Sequence, residues 1–168
     1  RQHTDHEDPG LAQARQHFER ADEMEPSNSD SHALLGLTRI WELLQRITKD
    51  PGKTLDAIMA HDPNADSLNP ENPLALTNVA AAYFFRGDHT TALDYAQRAV
   101  KFNPSYAISY LFLSLPQLHS GDFKQGEESV LKALELSPAD PNMNHFNATH
   151  YFALLGQGRY DEALVAID

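Results

Sequence analysis

Asn72 to Pro104 reads NPLALTNVAAAYFFRGDHTTALDYAQRAVKFNP, and Asn103 to Pro138 reads NPSYAISYLFLSLPQLHSGDFKQGEESVLKALELSP. Gly87 and Gly121 stand 34 residues apart, as do Asp88 and Asp122, Ala99 and Ala133, and Pro104 and Pro138. A 34-residue period with small and bulky residues at fixed places is the sequence sign of a helical solenoid. Each period is one helix pair that cannot bury its apolar face alone, so pairs stack. Solenoids of this kind usually hold other proteins and perform no chemistry of their own.

Working outward, the spacing predicts helices over 73–86 and 89–102, then 104–119 and 123–136, with turns at Gly87-Asp88 and Gly121-Asp122. A further pair is predicted over 145–155 and 160–167, with Gly158 at its turn. Towards the N-terminus, Leu11, Ala14, Phe18 and Ala21 predict a helix stopped by Pro26, and 31–47 a largely buried one. Asp50-Pro51-Gly52 reads as a turn before a short helix over 54–61, and 62–72 as the longest loop. Nothing alternates with period two, so no sheet is expected and the fold class is all-α.

The composition bounds the function classes. The chain has 168 residues with 41% hydrophobic and 22% charged residues, enough for several stacked repeats. Its formal charge of −11 argues against nucleic acid, whose binding needs clustered Lys and Arg. No apolar run approaches a membrane span, so no membrane partner is expected. Cysteine is absent, which removes disulfide and thiol chemistry. The polar start RQHTDHEDPG carries no signal peptide, and a cytoplasmic location is the expectation. The missing initiator Met, and a helical pattern still running at Asp168, read as a segment of a longer chain.

These residues resemble the tetratricopeptide repeat (TPR). In the unit beginning at Pro73 the family's places hold Leu76, Val79, Ala80, Tyr83, Gly87, Ala92, Ala96, Ala99 and Pro104. The unit beginning at Ala107 supplies Tyr110, Leu113, Ser114, Gln117, Gly121, Gly126, Val130, Ala133 and Pro138. The resemblance implies a right-handed superhelical solenoid of antiparallel helix pairs, and it covers nearly the whole chain. The expected organisation is a polar tail over 1–10, an isolated second-helix-like segment over 11–26 and a degenerate repeat over 29–63. A loop over 64–72, repeats over 73–106 and 107–140, and a truncated repeat over 144–168 follow. Pro116 inside a helix and Gly126 in an alanine place predict a bent or softer unit.

By resemblance, the first helix of each pair lines a concave groove. That face holds Ala33, Leu37, Ile40 and Trp41, then Leu74, Thr77, Ala81, Phe84 and Phe85. Ile108, Leu111, Leu115, Leu118 and His119 follow, and then His145, Ala148, Phe152 and Leu155. An apolar face of this kind marks a site for a protein segment, with Trp41, Phe84, Phe85 and Leu111 as candidate anchors. The competing account is that these side chains pack between neighbouring helices or lie under a flanking helix. Some TPR proteins clamp a carboxyl-terminal peptide with Lys, Asn and Arg; the corresponding places are Ala33, Leu37, Asn78, Ile108 and Phe112, and only Asn78 fits. Binding of that kind is therefore not expected.

Other chemistry fails on inspection. Gly52-Lys53-Thr54 lacks the first glycine of a phosphate-binding loop, since Ile47 stands there. His3, Asp5, His6, Glu7 and Asp8 sit in the polar tail, and His145 and His150 are five apart, off one helix face, so no metal site or cofactor is expected. No nucleophile stands beside a base, so no enzyme activity is expected. The leading expectation is a scaffold that binds a protein or peptide. The rivals are a regulatory arm of a larger nucleotide cyclase-like enzyme or transcription regulator, and homodimerisation through exposed solenoid ends.

Overall fold

The computed structural model describes residues 9–60, 69 and 71–166. Residues 1–8 of the expected tail lie outside these, with its candidate metal ligands. So do residues 61–63, which close the expected degenerate repeat, residues 64–68 and 70 of the expected loop, and residues 167–168. Among the described residues every regular element is a helix: α1 (Pro9–Met24), α2 (Ser29–Leu44), α3 (Pro51–Met59), α4 (Pro73–Phe85) and α5 (His89–Phe102), then α6 (Ala107–His119), α7 (Phe123–Leu136), α8 (Met143–Gly156) and α9 (Tyr160–Ala166).

Local chemistry sets the helix ends. Gly87, Gly121 and Gly158 take φ of 82°, 83° and 74°, the left-handed conformation that only glycine adopts without strain. In each case the two amides after the helix turn back onto it, as when Gly87 donates to Phe84 O and Asp88 to Tyr83 O. Asp88 and Asp122 then start the next helix, their carboxylates accepting from the Thr91 and Gln125 amides. The Thr91 amide and hydroxyl hold the Asp88 pKa below its ordinary value.

Two expected boundaries move for similar reasons. Asp50-Pro51-Gly52 opens α3 and is not a separate turn: the Asp50 carboxylate caps the Lys53 amide and Pro51 fills the first position, where no amide is needed. α6 starts at Ala107, because the Asn103 side chain accepts from the Ser105 amide and holds 103–105 in a turn. α6 then runs on through Pro116 to His119.

The helices stack in order. α2 packs on α4, α4 on α6 and α6 on α8, which makes one continuous wall of first helices. α5, α7 and α9 back α4, α6 and α8, while α1 lies on α2 and the short α3 touches both α2 and α4. The larger core joins Ile40, Trp41, Leu111, Phe112 and Phe146, so it links α2 to α8 through α6. A second core, with Leu76, Val79, Tyr95 and Ala99, lies between α4 and α5.

Candidate protein-binding face

The eighteen residues expected to line the face all sit on the wall α2–α4–α6–α8, but they divide by burial. Ala33, Ile40, Trp41, Thr77, Ala81, Ile108, Leu111 and Leu118 are buried. Leu37, Leu74, Phe84, Leu115, His145, Ala148 and Leu155 are half-buried, and Phe85, His119 and Phe152 are exposed. The account in which these side chains pack between neighbouring helices holds for the buried part, and the remainder of the face is open to solvent.

The buried part has specific causes. Trp41 is only 8% exposed, and its ring centroid lies 5.7 Å from that of His145. One side chain thus reaches from α2 to α8 and fills the space between them. Burial lowers the His145 pKa, so the ring is neutral around pH 7. Thr77 donates to Pro73 O and accepts from the Ser109 hydroxyl, both at 2.7 Å, which ties α4 to α6. Leu118 turns into the α6–α7 contact: a Cβ built on Gly126 would stand 2.4 Å from its Cδ2. Gly126 is thus a packing requirement, whereas sequence alone reads it as a soft spot.

The exposed part forms an aromatic rim at the C-terminal ends of α4 and α6. The His119 ring meets Phe84 edge-on at 4.9 Å and lies 4.6 Å from His89, while Phe84 and Phe85 stand edge-to-face at 5.6 Å. His119 Nδ1 lies 3.1 Å from Leu115 O, an acceptor, so in this contact Nδ1 is the donor. On α8, Phe152 is 60% exposed.

Asn78, the one residue that fits a carboxylate clamp, is buried. Its amide nitrogen donates to Ala33 O at 2.6 Å, in space left by Gly36, where a Cβ would stand 2.6 Å from that same nitrogen. The side chain joins α2 to α4 and is only 3% exposed, so it is not open to a ligand.

Sequence reasoning missed an ion cluster behind the wall. Arg159 donates to both carboxylate oxygens of Glu127, at 2.8 and 2.6 Å, and Gln157 donates to Oε2 at 2.7 Å. His150 Nε2 lies 3.5 Å from the same carboxylate. The cluster ties α7 to the α8–α9 turn. The signal was faint: a Gly-Arg turn where the earlier units have Gly-Asp. Among the described residues no group of three or more His, Asp or Glu could hold a metal ion, and no helix is long and apolar enough to cross a membrane.

No family model matches the chain. It is similar to the small glutamine-rich tetratricopeptide repeat-containing protein 2 of Mycosarcoma maydis, 32% identical over 92 residues, or 55% of this chain and 25% of that protein. It is also similar to the heat-shock protein cognate (HSC) co-chaperone sgt12 of Aspergillus fumigatus, 35% identical over 69 residues, or 41% of this chain and 20% of that protein. The matches thus span a quarter or less of those relatives. Among solved structures, a thermophilic TPR protein of Thermus thermophilus, TTC0263, superposes with a TM-score of 0.63 over 93% of this chain and 79% of that one, at 22% identity. The fold is that of a TPR solenoid. MamA of Desulfovibrio magneticus has the same architecture, with a TM-score of 0.59 over 94% of this chain and 82% of that one, at 15% identity. The chain is accordingly an all-α, right-handed superhelical array of antiparallel pairs, with its TPR first helices forming the wall described above.

Proposed function

We propose that this array is a protein-interaction scaffold that holds a segment of a partner protein against the α4–α6–α8 wall. The observation that carries the reading is the exposure of Phe85 on α4 and Phe152 on α8, with Phe84 and Leu115 half-buried on the same wall. Large apolar side chains left to solvent on a stacked wall are what a partner covers, and buried aromatics supply most of the affinity at such contacts. The relatives named as TPR-containing and co-chaperone proteins support a scaffold role.

Trp41 and Leu111 are poor anchors, because both are buried, Leu111 at only 2% exposure. The test therefore uses exposed positions. Wild-type chain and a Phe85→Glu/Phe152→Glu variant, each confirmed helical by circular dichroism, are used to capture partners from a lysate of the source cell. A protein held by the wild type and lost with the variant supports the wall as the binding face. Identical captures with both exclude it.

A second reading rests on the C-terminal end. Leu131, Leu164 and Val165 are exposed, and Leu131 and Val165 line a cleft of about 580 Å³ with Leu154 and Arg159. Two copies pairing through this face would form a dimer, and sedimentation equilibrium of wild type against Leu164→Glu/Val165→Glu distinguishes it from a heterologous partner.

A further inference from the structure

Three of the wall's four helices share an electrostatic property that their apolar character does not by itself require; the fourth, α2, carries Asp30, Arg39 and Glu42. α4, α6 and α8 together span 40 residues and contain no Asp, Glu, Lys or Arg. At the chain-wide proportion of 22%, about nine would be expected. The second helices are ordinary: α5 carries Asp94, Arg98 and Lys101, and α7 carries five charged residues.

Burial accounts for only part of this absence. The exposed positions on these three helices carry no Asp, Glu, Lys or Arg either: Phe85, His119, Asn144, Phe152 and Gly156. A solvated position would normally accept Lys or Glu at little cost, and charge there aids solubility. Leaving it neutral and aromatic favours an occupant that removes water from it.

We propose that the occupant of this wall is an uncharged, apolar segment of a partner protein, whose own charges lie outside the contact. The inference rests on the reading that the wall is the binding face, and it names the partner class. The argument is one of charge matching. An acidic or basic side chain carried into the contact would lose water and find no Asp, Glu, Lys or Arg on α4, α6 or α8, where His150 already lies against Glu127 and His119 is the one exposed imidazole; an unpaired desolvated charge is strongly unfavourable. Asn78, the remaining polar group at a clamp position, is already bonded to Ala33 O. A peptide ending in a cluster of carboxylates is therefore rejected by the same surface that accepts an apolar one. The net charge of −11 adds a weak, salt-screened preference for basic residues flanking that segment.

The probe is a phage-displayed library of random 16-residue peptides, panned on the immobilised chain at low and high salt. Enriched peptides are expected to share an apolar stretch free of Asp, Glu, Lys and Arg. Their affinity should change little with salt and fall roughly tenfold or more in Phe85→Glu/Phe152→Glu, as loss of a central aromatic contact does. Phe152→Ala serves as a milder second variant, since that ring is already exposed. Enriched peptides that carry a required charge inside the shared stretch, and lose binding in the same variants, overturn the partner class while leaving the wall as the binding face. Enriched peptides indifferent to both variants, or no enrichment at all, overturn the wall itself.

Discussion

On α4 and α5, Tyr83 stacks on Tyr95 with ring centroids 5.5 Å apart. Thirty-four residues later the same two places hold Gln117 and Ser129, a hydrogen-bonded pair at 2.8 Å. The exchange recurs down the two helix pairs. Asn78 reaches Ala33 O, while its equivalent Phe112 is buried in the core against Phe85, with ring centroids 6.4 Å apart. Phe84 points to the rim and Leu118 into the helix interface. Leu93 packs against apolar neighbours, and its equivalent Glu127 takes Arg159. The backbone frame is common because the Gly-Asp turn is common. Each contact can change chemistry so long as both members change together. The two pairs should therefore respond differently when equivalent positions are altered.

The largest difference is expected at Asn78 and Phe112. Phe112→Ala removes a fully buried ring and should cost about 3–5 kcal/mol. Asn78→Ala loses one buried hydrogen bond and should cost about 1–2 kcal/mol. Urea denaturation of both variants checks this, and equal losses would break the comparison.

Glu127 and Leu93 come next. Burial raises the Glu127 pKa, but hydrogen bonds from Gln157 and Arg159, the charge of Arg159 and the contact with His150 outweigh it, so the folded carboxyl titrates below its ordinary value of 4.5. A depressed folded pKa gives stability that is complete above the unfolded value and lost as pH falls through the folded one. Acid should thus loosen the α7–α9 end, and Glu127→Gln should reduce that acid step, leaving the parts due to Glu162 and Asp88, whose carboxyls are also held low, while costing about 1–3 kcal/mol at neutral pH. Leu93→Ala should weaken the first pair with no new pH dependence. Thermal melts from pH 3 to 7 separate the two.

Gly126 and Ala92 test the interface more finely. Gly126→Ala gains helix propensity of about 1 kcal/mol but drives a methyl into Leu118, and overpacking of that kind costs about 1–3 kcal/mol. A net loss is expected, and adding Leu118→Ala should remove the clash. The coupling between the two substitutions is the quantity to measure. At Ala92 the opposite change, Ala92→Gly, should cost about 1 kcal/mol with no such coupling to Phe84.

How much of this was legible follows from what each feature depends on. Helix positions from Pro73 onward depend on local signals, the glycines, the capping aspartates and the apolar period, and they read directly from the sequence. α6 was misjudged at its start because Asn103 makes a side-chain turn that periodicity does not register. The face was legible as a set of residues on one wall but not as a surface. Whether Trp41 is open or covered depends on α8, more than 100 residues away, and no local pattern encodes that contact. Leu118 and Phe84 hold equivalent places, and only the glycine opposite Leu118 separates their fates.

The smallest expected effect compares the turn after α2 with that after α4. Both use the same backbone closure: Arg46 donates to Leu43 O and Ile47 to Glu42 O, as Gly87 and Asp88 do to Phe84 O and Tyr83 O. Arg46 does so at φ 58°, where a side chain strains against its own carbonyl by about 1–2 kcal/mol. Its capping aspartate, Asp50, comes four residues later, whereas Asp88 follows Gly87 directly. The α2–α3 turn is therefore both strained and longer, and the short α3 follows it. Arg46→Gly relieves the strain but frees the unfolded backbone by about 0.5–1 kcal/mol, so a net gain of about 0.5 kcal/mol is expected. Gly87→Arg should lose about 1 kcal/mol by the reverse exchange. The urea midpoint should rise in the first variant and fall in the second, with the slope unchanged in both. A fall in Arg46→Gly would mean that the arginine side chain holds the longer turn together.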